Sequence, residues 1–282
     1  MEKNILEIKD LSISFVQYYK GLNRKVINVV RNLSLDVKEK EVLAIFGASG
    51  SGKSLLVHAI LDLLPINAIV KGDIKYKGED LTSKRLEKLR GNEISFIPQT
   101  INSLNPLLKA GKQVKFGIKD KKNAQKIQDE LFEKFGLKKE VNDLYPFELS
   151  GGMARKVLVS TAVVNDVELV IADEPTPGMD KIGLDETIEF FTSLPKRGAS
   201  AIMITHDIDT ALQLADRIAI FYNGSIIEVA NKDAFEGMGE KLKHPYSRAL
   251  WQALPENTFK VSSLKDLSNM REYVVNEEDL WA

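Results

Sequence analysis

The chain has 282 residues, of which 44% are apolar, and its 39 Lys plus Arg nearly balance 40 Asp plus Glu for a formal net charge of -1. That balance supplies no global attraction to nucleic acid or anionic lipid, and 18 Gly and 9 Pro are too few for a fibrous or disordered chain. Cysteine is absent, which excludes disulfides, thiolate zinc sites and iron–sulfur clusters.

Residues 5–15 alternate through Ile5, Leu11, Ile13 and Phe15, and residues 26–37 through Val29, Leu33, Leu35 and Val37, which predicts two antiparallel strands. No apolar signal core precedes them, and no later run approaches the roughly 20 apolar residues that span a bilayer. The expectation is a soluble chain of one large or two intimate domains, reaching a membrane only through a partner. Residues 17–24 are expected to form a loop, in which Tyr18 or Tyr19 could either stack on a purine base or pin a hairpin to the core.

Val42-Leu43-Ala44-Ile45-Phe46 is a short apolar strand, and Leu55, Leu56, Val57, Ala59, Ile60 and Leu61 continue as a helix. Between them lies Gly47-Ala48-Ser49-Gly50-Ser51-Gly52-Lys53-Ser54, a complete phosphate-binding loop in the strand-to-helix context that such a loop requires. Gly47, Ser49, Gly50, Ser51 and Gly52 let main-chain N–H groups wrap an anion at the positive end of the helix. Lys53 reaches the outer phosphates and Ser54 can ligate magnesium. The predicted ligand is a magnesium nucleoside triphosphate.

Residues 70–78 read as a further strand, residues 83–90 as a short charged helix, and residues 94–97 as a buried strand stopped by Pro98. Gln99 then falls at the carboxyl end of that strand, where open α/β sheets bind ligands. From Asn102 to about Leu149 the chain turns to loop and charged helix, with Ala124, Ile127, Leu131 and Phe135 at helical spacing. Leu149-Ser150-Gly151-Gly152-Met153 opens another helix running to Val164, so the block reads as a helical insertion. Residues 168–174 form an apolar strand ending in Asp173 and Glu174. Leu184, Ile188 and Phe191 mark a helix, residues 201–204 a strand, Ile208, Ala211, Leu212 and Ala215 a helix, and residues 218–222 and 226–229 a hairpin turning at Asn223-Gly224. Apolar strands alternating with helices predict an α/β fold whose parallel sheet is covered on both faces.

Two acids after an apolar strand are ordinarily a solvated strand end, but an upstream phosphate loop changes their reading. Asp173 can hold magnesium through water, and Glu174 can polarise an attacking water as general base. His206, in Ile204-Thr205-His206-Asp207, is placed to contact the terminal phosphate, though a histidine at a strand end also serves as a structural or helix-capping neighbour.

In this order, the phosphate loop, Gln99, Leu149-Ser150-Gly151-Gly152-Met153, Leu169-Val170-Ile171-Ala172-Asp173-Glu174-Pro175-Thr176 and His206 make the chain resemble the ATP-binding subunit of an ABC transporter over about residues 40–210. The resemblance implies a RecA-like P-loop NTPase core with an antiparallel β subdomain, an inserted α-helical subdomain at about 101–164, and an ATPase domain over 1–240 followed by a C-terminal extension at 241–282. It implies ATP and Mg2+ as ligands, with Ser54, Gln99 and Asp173 at the metal and Glu174, His206 and Gln99 in catalysis. Gln99 would also couple the site to membrane subunits. Ser150, Gly151 and Gly152 would act on ATP held by a second cassette. A serine and two glycines at a helix start do form an anion site with no ligand in their own subunit, so an isolated monomer should hydrolyse ATP poorly. Tyr19 is favoured over Tyr18 and Phe15 as the adenine-stacking aromatic.

Residues 215–222, His244-Pro245-Tyr246-Ser247-Arg248-Ala249-Leu250 and Ser103-Leu104-Asn105-Pro106 are similar to the ATPases of oligopeptide, dipeptide and nickel importers, with His244 a structural landmark. This narrower resemblance implies peptides or nickel and other metal chelates as cargo. The implied partners are a second, different ATPase chain, two integral-membrane permease subunits and an external substrate-binding protein, with no nucleic acid. The expected location is peripheral, on the cytoplasmic face of the membrane. The alternative, a soluble ABC-type ATPase acting on nucleic acid or ribosomes, requires tandem cassettes, a coiled-coil insertion or a basic surface, and the sequence displays none of these. The chain departs from the family pattern at Pro177-Gly178-Met179-Asp180, at Ala154, which delays the basic start of the signature helix to Arg155 and Lys156, and in lacking a C-terminal cysteine cluster.

Overall fold

The computed structural model describes residues 3–19 and 23–254, with the Tyr19 side chain outside the description. The amino-terminal half contains β1 (Asn4–Tyr19), β2 (Asn23–Lys38), β3 (Val42–Phe46), α1 (Lys53–Ile60), β4 (Ala68–Tyr76), β5 (Glu79–Asp80), α2 (Ser83–Leu89) and β6 (Ile94–Ile97). Three helices follow, α3 (Ala110–Gly117), α4 (Ala124–Lys134) and α5 (Gly151–Ala162). The chain returns through β7 (Leu169–Asp173), α6 (Lys181–Ser193), β8 (Ser200–Thr205), α7 (Ile208–Leu214), β9 (Arg217–Tyr222), β10 (Ser225–Asn231) and α8 (Pro245–Gln252).

One sheet has the order β2-β1-β4-β5 and is antiparallel; the other has the order β10-β9-β3-β8-β7-β6 and is parallel except at β10. Period-two alternation in the parallel strands divides their side chains between two cores. Leu43, Ile45, Leu169, Ile171, Ile202 and Ile204 join α1 and the antiparallel sheet in the first core. Val42, Ala44, Val170, Ala172, Ala201 and Met203 join Phe190, Phe191 and Ala211 in the second. Burial on both faces explains why these strands read as unbroken apolar runs. A third core, including Val114, Phe132, Val157 and Leu158, lies within the helical insertion between β6 and β7.

The structure corrects one expectation. Most of the region read as a loop at 17–24 is strand, because Val16 pairs with Val26, Gln17 with Lys25 and Tyr18 with Arg24. These residues look loop-like because they sit at the exposed tip, where Tyr18 is 60% exposed and the Arg24 guanidinium lies 5.3 Å over its ring. Within the insertion, read as loop and charged helix, α3 buries Ala110, Gly111 and Val114.

The two sheets are tied by Arg217 at the start of β9. Its Nε donates to Glu41 Oε1 at 2.5 Å, and its Nη2 donates to Glu41 Oε2 at 2.9 Å and to Asp36 Oδ2 at 3.0 Å. Glu41 is 5% exposed, so removing its partner strands a desolvated carboxylate. Arg217→Met is expected to lower unfolding stability by about 3 kcal/mol in denaturant melts, and Arg217→Met with Glu41→Gln to recover part of that loss.

Candidate active site

Four neighbouring strands, in the spatial order β3, β8, β7, β6, run parallel, so their carboxyl ends lie on one edge. The phosphate loop leaves β3, His206 follows β8, Asp173 and Glu174 end β7, and Gln99 lies just beyond β6. Residues 53, 99, 173, 174 and 206 are thus brought together by sheet topology, at strand spacings of about 4.8 Å.

The loop's shape comes from its glycines and its neighbours. Gly50 and Gly52 have φ of +74° and +105°, and a Cβ on Gly47 would approach the Phe221 carbonyl oxygen to 2.5 Å. Gly52 caps α1 without a side-chain hydrogen bond, which leaves the first N–H groups of that helix directed at the loop. Lys53 is 4% exposed, and its Nζ donates to the carbonyls of Gly47 at 2.8 Å and Ala48 at 2.7 Å. Burial lowers the pKa of this ammonium, against the opposing pull of Glu174 and Asp173.

Asp173 is 3% exposed, and its Oδ1 has no hydrogen-bond partner. Burial raises its pKa, opposed by the nearby Ser54 hydroxyl, and the nearby Glu174 charge raises it further. An unpaired buried carboxylate oxygen beside a serine hydroxyl is an oxygen donor set suited to a hard divalent cation. Among the described residues no group of three or more His, Cys, Asp or Glu forms a metal site, so a cation here needs further oxygens from a phosphate ligand.

Glu174 is the most constrained side chain at the edge. Gln99 Nε2 donates to its Oε2 at 2.8 Å, and His206 Nδ1 lies 2.8 Å from its Oε1. His206 thus meets the carboxylate expected to act as base. It is not the cap of the next helix, because Asp207 is, with Oδ1 accepting from Asp209 N at 3.0 Å. Arg155, noted in the sequence only as a delayed basic residue, reaches the same place: Nη1 donates to the carbonyls of Gln99 at 2.6 Å and Glu174 at 3.2 Å.

Ser150, Gly151 and Gly152 begin α5 away from this pair. The Ser150 Oγ accepts from Met153 N at 3.2 Å, and Ser150 and Gly151 are exposed. The unusual 177–180 loop packs on that helix start, with the Gly178 oxygen 3.4 Å from the position of a Cβ on Gly152, and Asp180 caps α6 by accepting from Gly183 N at 2.8 Å. His244 likewise caps α8, accepting from Tyr246 N at 3.1 Å, in keeping with a structural role. Tyr19 ends β1 opposite Asn23, but its side chain, the expected adenine platform, lies outside the described residues, as do residues 255–282 of the expected extension.

In the role expected of Lys53, a charge-assisted contact to outer phosphates, its ammonium would contribute up to about 3 kcal/mol. Lys53→Ala is expected to weaken binding of a fluorescent ATP analogue about 100-fold, with the fold retained in circular dichroism.

The family described as "ABC transporter" matches residues 30–177. The oligopeptide transport ATP-binding protein OppD of Bacillus subtilis (strain 168) is 36% identical over 266 residues, covering 89% of this chain and 72% of the relative. The dipeptide transport ATP-binding protein DppD of Lactococcus lactis subsp. cremoris (strain MG1363) is 33% identical over 269 residues, covering 90% of this chain and 74% of the relative. Among solved structures, a dimeric post-hydrolysis state of the ATP-binding cassette MJ0796 with ADP and Pi superposes with a TM-score of 0.70 at 25% identity, covering 80% of this chain and 98% of that one. No helix among the described residues is long and apolar enough to cross a membrane. With its strand-end constellation and these relatives, the chain belongs to the ABC transporter family as an ATP-binding subunit.

Proposed function

We propose that this chain hydrolyses ATP to power uptake of peptides through partner membrane subunits, working from the cytoplasmic face of the membrane against a second, different cassette. The observation that carries the chemistry is the Glu174 carboxylate, held at 2.8 Å by Gln99 and by His206 on the sheet edge that bears the phosphate loop. The relatives named for oligopeptide and dipeptide transport support the cargo class.

In this reading the loop N–H groups and Lys53 bind the triphosphate, and Ser54, Asp173 and Gln99 hold magnesium with it. Bound magnesium neutralises phosphate charge as the terminal group departs. Glu174 accepts a proton from the water that attacks the terminal phosphorus, while Gln99 and His206 keep its oxygens aimed at that water. Ser150, Gly151 and Gly152 complete the site of the opposite cassette, because the exposed start of α5 offers main-chain N–H groups to an anion. Closure of two cassettes on ATP and reopening after hydrolysis then drive the permease subunits. An external binding protein delivers the peptide.

Vesicles holding the assembled complex provide the test. Wild type is expected to take up labelled peptide with ATP consumption. Glu174→Gln is expected to keep ATP binding but to lose hydrolysis and uptake by about 100-fold or more. Equal hydrolysis by the two proteins would refute the general-base role, and ATP-driven uptake of a nickel chelate without peptide uptake would reassign the cargo.

A further inference from the structure

We propose that Arg155 is a positioning residue for hydrolysis: its guanidinium fixes the main chain of Gln99 and Glu174 together, setting the Gln99 amide against the Glu174 carboxylate and tying both to the helix that begins at Ser150. The proposal rests on the general-base reading of Glu174.

Glu174 has φ of +45°, a left-handed conformation that is unfavourable for a non-glycine residue and persists only where surroundings impose it. Both of its main-chain polar groups are tied. Its N–H donates to the Ile204 carbonyl at 2.9 Å, and its carbonyl accepts from Arg155 at 3.2 Å. Gln99 has less support of its own. The β6–β7 ladder ends at Ile97 with Ala172, Pro98 follows, and Gln99 is exposed, so the 2.6 Å bond from Arg155 to its carbonyl replaces the missing ladder contact. One guanidinium thus spans the ends of two neighbouring strands, and the residues it holds are those whose side chains meet at 2.8 Å.

Arg155 is costly as a structural filler. It is 9% exposed, its Nε has no hydrogen-bond partner, and its charge is met by two carbonyl dipoles and the nearby Glu174 carboxylate. The next residue grips a different wall: Lys156 Nζ lies 3.4 Å from Glu186 and 3.8 Å from Asp180. Consecutive side chains therefore anchor α5 to the catalytic strand ends on one side and to α6 on the other. Since α5 also presents Ser150, displacement of that helix start is felt directly at Gln99 and Glu174.

The test is steady-state hydrolysis by the assembled complex, with ATP binding measured separately. Arg155→Met is expected to lower kcat about 10-fold or more with ATP affinity within about twofold of wild type, and to add no further loss when combined with Glu174→Gln. Arg155→Lys, whose ammonium sits one bond nearer the helix than the Arg155 Nη1 that bonds both carbonyls, is expected to lower kcat about threefold at unchanged KM, and it decides the matter if Arg155→Met does not assemble. Wild-type kcat in either assembled variant, or a loss confined to thermal stability, overturns the proposal. If Glu174→Gln itself hydrolyses at the wild-type rate, the general-base reading fails instead, and that outcome is read without any Arg155 variant.

Discussion

A carboxylate that takes a proton from water needs both of its oxygens aimed, and the Glu174 side chain is held by Gln99 on one oxygen and His206 on the other, each at 2.8 Å. Those three residues come from positions 75 and 32 apart in sequence. Only a parallel sheet with β8, β7 and β6 adjacent places their carboxyl ends side by side, and the same order sets β3 and its phosphate loop next to β8. The left-handed main chain at Glu174 turns the residue out of the strand at the point where the ladder stops. The chemistry therefore depends on strand order first and on side-chain identity second.

Holding that edge in place requires the rest of the fold. Alternating strand residues fill two cores, one shared with the antiparallel sheet and one with α6 and α7, so the parallel sheet cannot shift register without exposing apolar side chains. The Arg217, Glu41 and Asp36 network locks the antiparallel sheet to the start of β9. The helical insertion has its own core and meets the edge through α5, whose Arg155 bonds Gln99 and Glu174. The proposed ligand wall at Ser150 and the proposed base at Glu174 are thereby connected through less than two turns of helix.

Much of this was legible because the informative residues punctuate regular patterns. Gly47 to Ser54 interrupts a strand-to-helix transition, and Asp173 and Glu174 close an apolar run, so sequence alone located the edge. Burial on both faces kept the apolar runs unmistakable. Other features depend on contacts that sequence spacing does not encode. The hairpin tip at Tyr18 and Arg24 is polar because it is exposed, and it therefore looked like a loop. The one signal for Arg155 was a basic residue displaced by Ala154, and its partners, 56 and 19 residues away, are main-chain carbonyls whose positions no residue type announces.

The exposed Ser150 and Gly151, at the start of their own helix, carry the proposal that this subunit is half of a composite site. Phosphate release per chain, followed for the purified monomer and then with the second cassette and membrane subunits added, tests that claim most directly. A slow monomer whose rate per chain rises at least about 10-fold on assembly is the predicted result. A dilute monomer that turns over ATP as fast as the assembled complex would contradict it.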